Sequence, residues 1–70
     1  MTPLFSIVQI SLPYCPPFYL REMPPDHPDA YTLDSHSSHA TRFTIVEATE
    51  AMSRANRLWH TSYQPLFISC

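Results

Sequence analysis

The chain has no glycine and eight prolines, and together these restrict its turns before any strand or helix is considered. Glycine enters positive φ at no steric cost. Without it, a turn that needs such a backbone must use Asn, Asp or His at some expense. Tight hairpins built on Asn-Gly or Asp-Gly are excluded, and so are glycine-rich phosphate-binding loops. The connections are expected to be wide and shaped by proline.

Between those connections the apolar residues fall into strand-length runs. Residues 4–11 carry Leu4, Phe5, Ile7, Val8 and Ile10, and a run this short, rich in β-branched and aromatic residues, reads as a first strand. One face holds Leu4, Ser6, Val8 and Ile10, the other Phe5, Ile7, Gln9 and Ser11. Both are partly apolar, so the pattern specifies register only weakly. Pro13, Pro16 and Pro17 end the run, because proline removes a ladder donor and biases its predecessor away from helix. Residues 18–23 form a second strand, antiparallel to the first across a wide loop. An irregular segment follows at 24–39. Pro24, Pro25 and Pro28 open it, and Asp26, Asp29, Asp34, Ser35, Ser37 and Ser38 supply turn chemistry. A brief extended piece is expected at 30–33. A connection this long is functional or mobile.

The strongest local signals come next. Thr44 and Glu47 have the spacing of a capping box, in which each side chain satisfies the other's amide. Glu47 and Glu50 sit near the positive helix start, with Arg54, Arg57 and His60 near the negative end. At about 100° per residue, Ile45, Ala48, Ala51, Met52, Ala55, Leu58 and Trp59 share one arc, which leaves Val46 exposed. Residues 64–69 read as a last strand, with Pro65 at its first position, where proline is tolerated. The expectation is an α+β fold in a single domain over residues 1–70: a small antiparallel sheet of three to four strands with one amphipathic helix packed on one face, in the order ββ(β)αβ. Its expected core is Phe5, Ile7, Ile10, Phe18, Leu20, Phe43, Ile45, Ala48, Met52, Ala55, Trp59 and Phe67.

The piece Ala40, Thr41, Arg42, Phe43, with Glu47 and Ala48 opening an amphipathic helix, resembles small proteins encoded by phages and prophages. Those proteins have two opening strands, an Ala-x-x-Phe element, a helix begun by Glu-Ala and a closing strand. The resemblance covers about twenty residues. It implies a ββαβ accessory protein of a kind that includes inhibitors of host defence systems or host enzymes. No functional residue carries over from it.

Charge narrows the function classes. Only 14% of residues are charged, the net charge is −2, and the cations are Arg21, Arg42, Arg54 and Arg57. Nucleic-acid affinity comes largely from cations that neutralise phosphates, so no nucleic-acid partner is expected. Residues 4–15 are apolar but interrupted by Ser6, Gln9, Ser11 and Pro13, and no Lys or Arg precedes them. This fits neither a signal peptide nor a membrane span, so cytoplasmic residence and no membrane contact are expected. Cys15 and Cys70 are too far apart for a Cys-x-x-Cys pair. Free thiols are the first expectation for them, with a bridge or a cross-linked dimer as alternatives.

No motif requires a cofactor, and no pattern of nucleophile, base and orienter marks an enzyme. Tyrosine and arginine are enriched at interface hot spots, and Tyr14, Tyr19, Tyr31, Arg54, Arg57 and Tyr63 are therefore the candidate partner-binding residues. The leading expectation is a non-enzymatic protein-binding module whose partner is a host protein or a second copy of itself, acting by surface occlusion. The alternative is a metal-stabilised protein. Histidine and carboxylate are the usual ligands of first-row metals, and His27, Asp34, His36 and His39 are clustered in the 26–39 segment.

Overall fold

The first strand is the hub of the molecule. In the computed structural model, which describes residues 4–69, β1 (Phe5–Ile10) pairs through Ser6 to Ile10 with β5 (Pro65–Ser69). Its other edge is shared. β2 (Phe18–Glu22) takes Gln9 and Ile10, and β4 (Phe43–Thr44) takes Phe5 and Ser6. β3 (Tyr31–Asp34) adds to β2, and every pairing is antiparallel. One helix, α1 (Ile45–Trp59), packs on a single face of this sheet. The molecule is thus the expected α+β domain. The two-residue β4 makes five strands, where three to four were expected, and β3 gives order to part of the 24–39 segment.

Local chemistry explains both ends of the helix. At its start, Thr44 Oγ1 accepts from the Glu47 amide at 3.3 Å, and Glu47 Oε1 accepts from the Thr44 amide at 3.4 Å. At its end, His60 adopts left-handed backbone (φ 55) and the Thr61 amide donates to the Asn56 carbonyl at 2.9 Å. This is the six-to-one bond of a Schellman cap, a place usually taken by glycine. Histidine is one of the substitutes expected where glycine is missing. Tyr14, in the loop between β1 and β2, is the other residue at positive φ (65) among those described. An aromatic residue there was not expected.

The core is Val8, Ile10, Leu20, Tyr31 and Phe43 from the sheet against Ala48, Ala51, Met52 and Ala55 from the helix. Alanine lets the helix axis come close to the strands. Leu12, Leu33, Trp59, Tyr63 and Phe67 pack around it. Several expected core residues lie elsewhere. Phe5 is 41% exposed and Ile7 is only half-buried, because β1 turns Ser6, Val8 and Ile10 toward the helix. The reason lies in the strands paired to it. Ser6, Val8 and Ile10 stand opposite Phe43, Phe67 and Phe18, whereas Phe5, Ile7 and Gln9 stand opposite Thr44, Ile68, Tyr19 and Leu66. The face that collects three phenylalanines is the one that the helix covers. Ile45 and Leu58 lie at the two margins of the helical arc, and both are exposed, as is Val46.

No helix among the described residues is long and apolar enough to cross a membrane. Cys15 is exposed. Cys70, the other half of any bridge, lies outside the described residues.

Candidate functional site

Residues 22–31 and Arg54 of the helix line an open cleft of about 320 Å³. Its walls come from Pro24, Pro25, Pro28 and His27 on one side and Arg54 on the other, with Glu22 and Tyr31 between them. A smaller hollow of about 100 Å³ continues from it, sharing Glu22, Tyr31 and Arg54 and reaching Glu47 and Glu50. Local turns build the proline wall. The His27 amide donates to the Pro24 carbonyl at 3.0 Å, and the Met23 amide donates to Ala30 at 2.9 Å. The chain just after this segment is pinned to β2. Thr41 donates its amide to the Leu20 carbonyl at 3.3 Å and accepts from the Glu22 amide at 2.8 Å through Oγ1.

Tyr31 and Arg54 are the two expected partner-binding residues that meet here. Tyr31 is largely buried, so it presents a limited edge to the cleft. The other candidates are dispersed. Tyr14 is fully exposed at the loop between β1 and β2. Tyr19 stands on the uncovered face of the sheet, between Gln9 and Asp34. Arg57 is exposed in the last turn of the helix. Tyr63 packs edge-on against Trp59, with ring centroids 6.4 Å apart, and belongs to the rim of the core. Glu22, which lines both hollows, was not singled out in the sequence. Nothing in the pattern of β2 marks it, because its role depends on the fold of the proline segment.

A second cluster lies at the far end of β3 from Tyr31. Asp34 is the last residue of that strand, and the chain then turns through a short 3-10 segment, Ser37–His39. The His36 amide donates to Asp34 Oδ1 at 2.8 Å. His36 Nδ1 lies 3.4 Å from the same oxygen, and His39 Nδ1 lies 3.1 Å from Asp34 Oδ2. The two imidazoles stand with centroids 5.1 Å apart. Arg21, on the neighbouring strand, reaches to 3.7 Å from Asp34 Oδ2. The backbone hydrogen bond from His36 holds the Asp34 carboxyl below its ordinary value, burial opposes this, and the hydrogen bond and charge of His39 add to the lowering. Of the expected metal ligands, Asp34, His36 and His39 therefore come together. His27 does not. Its Nδ1 accepts from the Asp29 amide at 3.1 Å, which closes a turn of its own on the cleft wall.

No family model, curated protein or solved structure matches this chain.

Proposed function

We propose that this chain is a small non-enzymatic protein-binding module whose contact surface is the cleft between the proline segment and the helix. The observation that carries the reading is the convergence of Tyr31 and Arg54, distant in sequence, on one concavity with rigid proline walls. Proline walls favour binding because little conformational freedom is lost when a partner docks. Glu22, Glu47 and Glu50 line the smaller hollow with Arg54, whereas the larger cleft balances Glu22 against Arg54, so the combined surface is net acidic. It suits a protein segment that offers a Lys or Arg beside an apolar residue, and association is steered by complementary charge. In the form implied by the resemblance to phage accessory proteins, the partner is a host protein and binding inhibits it by occlusion.

The test compares capture of partners from host lysate by the wild type, by a cleft variant, Glu22→Lys, and by a variant outside the cleft, Arg57→Glu. A protein retained by the wild type and by Arg57→Glu, but lost by Glu22→Lys, supports the reading. Equal retention by all three, or recovery of the chain alone throughout, overturns it.

A further inference from the structure

We infer that Asp34, His36 and His39 form a binding site for a divalent transition-metal ion of the zinc or cobalt class, distinct from the protein-binding cleft. The donor set is two imidazoles and one carboxylate, which suits first-row ions and not the all-oxygen preference of calcium or magnesium. Their ligand atoms all lie within 4.8 Å of one another. An ion bonded at about 2.0–2.2 Å to nitrogen and oxygen holds neighbouring ligand atoms roughly 3–3.5 Å apart. The Asp34 carboxylate already lies 3.1 Å from one imidazole nitrogen and 3.4 Å from the other. Both rings are half-exposed or more, which leaves them room to turn toward one centre.

The backbone is what makes this more than a loose loop. Asp34 is fixed in the sheet opposite Tyr19. The His36 amide is tied to Asp34 Oδ1, and the His39 amide closes onto the His36 carbonyl at 3.0 Å. The spacing Asp-x-His-x-x-His therefore places all three side chains on one side of a single tight turn. Ser35 Oγ, 3.3 Å from His36 Nδ1, and Arg21, 3.7 Å from Asp34, are the polar neighbours. Each imidazole binds in its neutral form through Nδ1 with the proton on Nε2. The ion replaces the hydrogen bonds from the rings to the carboxylate, and water completes the coordination. Arg21 is the arginine beside the site and competes with the ion for Asp34. Its removal therefore strengthens metal binding, whereas it would only weaken a cluster whose role was purely structural.

Cobalt(II) is the probe, because its visible d–d spectrum reports imidazole ligation directly. The expected result is one ion per chain. His36→Ala/His39→Ala loses affinity by at least the roughly 10–100-fold typical of outer-shell losses. His27→Ala and His60→Ala retain wild-type affinity, and Arg21→Ala binds more tightly. Far-UV circular dichroism of each variant confirms that the sheet and helix are intact. His39→Gln, which keeps size and a hydrogen-bonding group, serves as a second variant and is expected to weaken binding without loss of structure. Unchanged cobalt affinity in folded His36→Ala/His39→Ala, or an equal loss in His27→Ala, overturns the assignment. Apart from His27→Ala, whose side chain lines the cleft wall, these variants lie away from the cleft, so failure here leaves the protein-binding reading standing, and the reverse also holds.

Discussion

Asn56 holds Tyr63 through both of that residue's main-chain groups. Its Nδ2 donates to the Tyr63 carbonyl at 3.3 Å, and its Oδ1 accepts from the Tyr63 amide at 3.0 Å. The same Oδ1 accepts from Thr61 Oγ1 at 2.9 Å. One partly buried side chain thus organises the turn between the helix and β5. Asn56→Ala leaves the Tyr63 amide and carbonyl without these partners, and a buried group left unsatisfied costs about 1–3 kcal/mol. The expected outcome is a loss of about 2 kcal/mol in urea unfolding, with Asn56→Asp intermediate because it keeps the acceptor and loses the donor.

The orientation of β1 makes a second prediction. Ile10 is fully buried under the helix, whereas Ile7, three residues earlier on the same strand, faces the uncovered side and is half-buried. Ile10→Ala is expected to cost about 2–5 kcal/mol, the usual range for a large-to-small change in a core. Ile7→Ala is expected to cost about 1 kcal/mol, since part of its surface is already hydrated. Equal losses in chemical denaturation would contradict the orientation of the strand.

Among the described residues, Tyr14 and His60 sit in left-handed backbone, and each offers a route to a more stable protein. The conformation costs an L-residue roughly 1–2 kcal/mol, partly offset on substitution by the extra unfolded-state freedom of glycine. Tyr14→Gly loses no packing, because the side chain is fully exposed, and is expected to gain about 1 kcal/mol. His60→Gly is expected to gain less, since histidine tolerates this region better than tyrosine. Both changes are read as a rise in melting temperature.

Asp34 sets a pH dependence in the metal-free protein. Its folded pKa is lowered from an ordinary value of 3.8, first by the His36 amide. A depressed carboxyl stabilises the fold fully above the unfolded value, and that contribution is lost as pH falls through the folded one. The groups facing it are Arg21, His36 and His39. Acid titration in the presence of chelator is expected to show stability falling below about pH 4. Asp34→Asn is expected to be less stable at neutral pH and to have a shallower acid limb.

What the sequence made legible were features written into neighbouring residues. The Thr44–Glu47 box, the arc through Ala48, Met52 and Ala55, and the strand edges set by Pro13, Pro17 and Pro65 were readable because each depends on spacing within a few positions. The Asp34, His36 and His39 cluster was readable for the same reason, since one turn holds all three. His27 stands apart from that cluster, because the Asp29 amide holds its ring in a turn of its own. The face of β1 was not readable. It is chosen by Phe43 and Phe67, which lie far along the chain and act only once the strands have paired. The cleft was half-readable: Tyr31 and Arg54 were marked by residue type, whereas Glu22 acquires its place only through the folded proline segment.

The pairing of β1 with β5 also has a kinetic consequence. Joining Ser6–Ile10 to Pro65–Ser69 closes a long loop across most of the described residues, and loop entropy is lost before any contact rewards it. Helix α1 and the β2–β3 hairpin are local and can form early. The central strand can be flanked on both edges only late. Until then one edge of β1, with Phe5 and Ile7 beside it, is open to any other extended chain. Folding of this small domain is therefore expected to be slow for its size, with its greatest exposure to misassociation in the interval before the last strand docks.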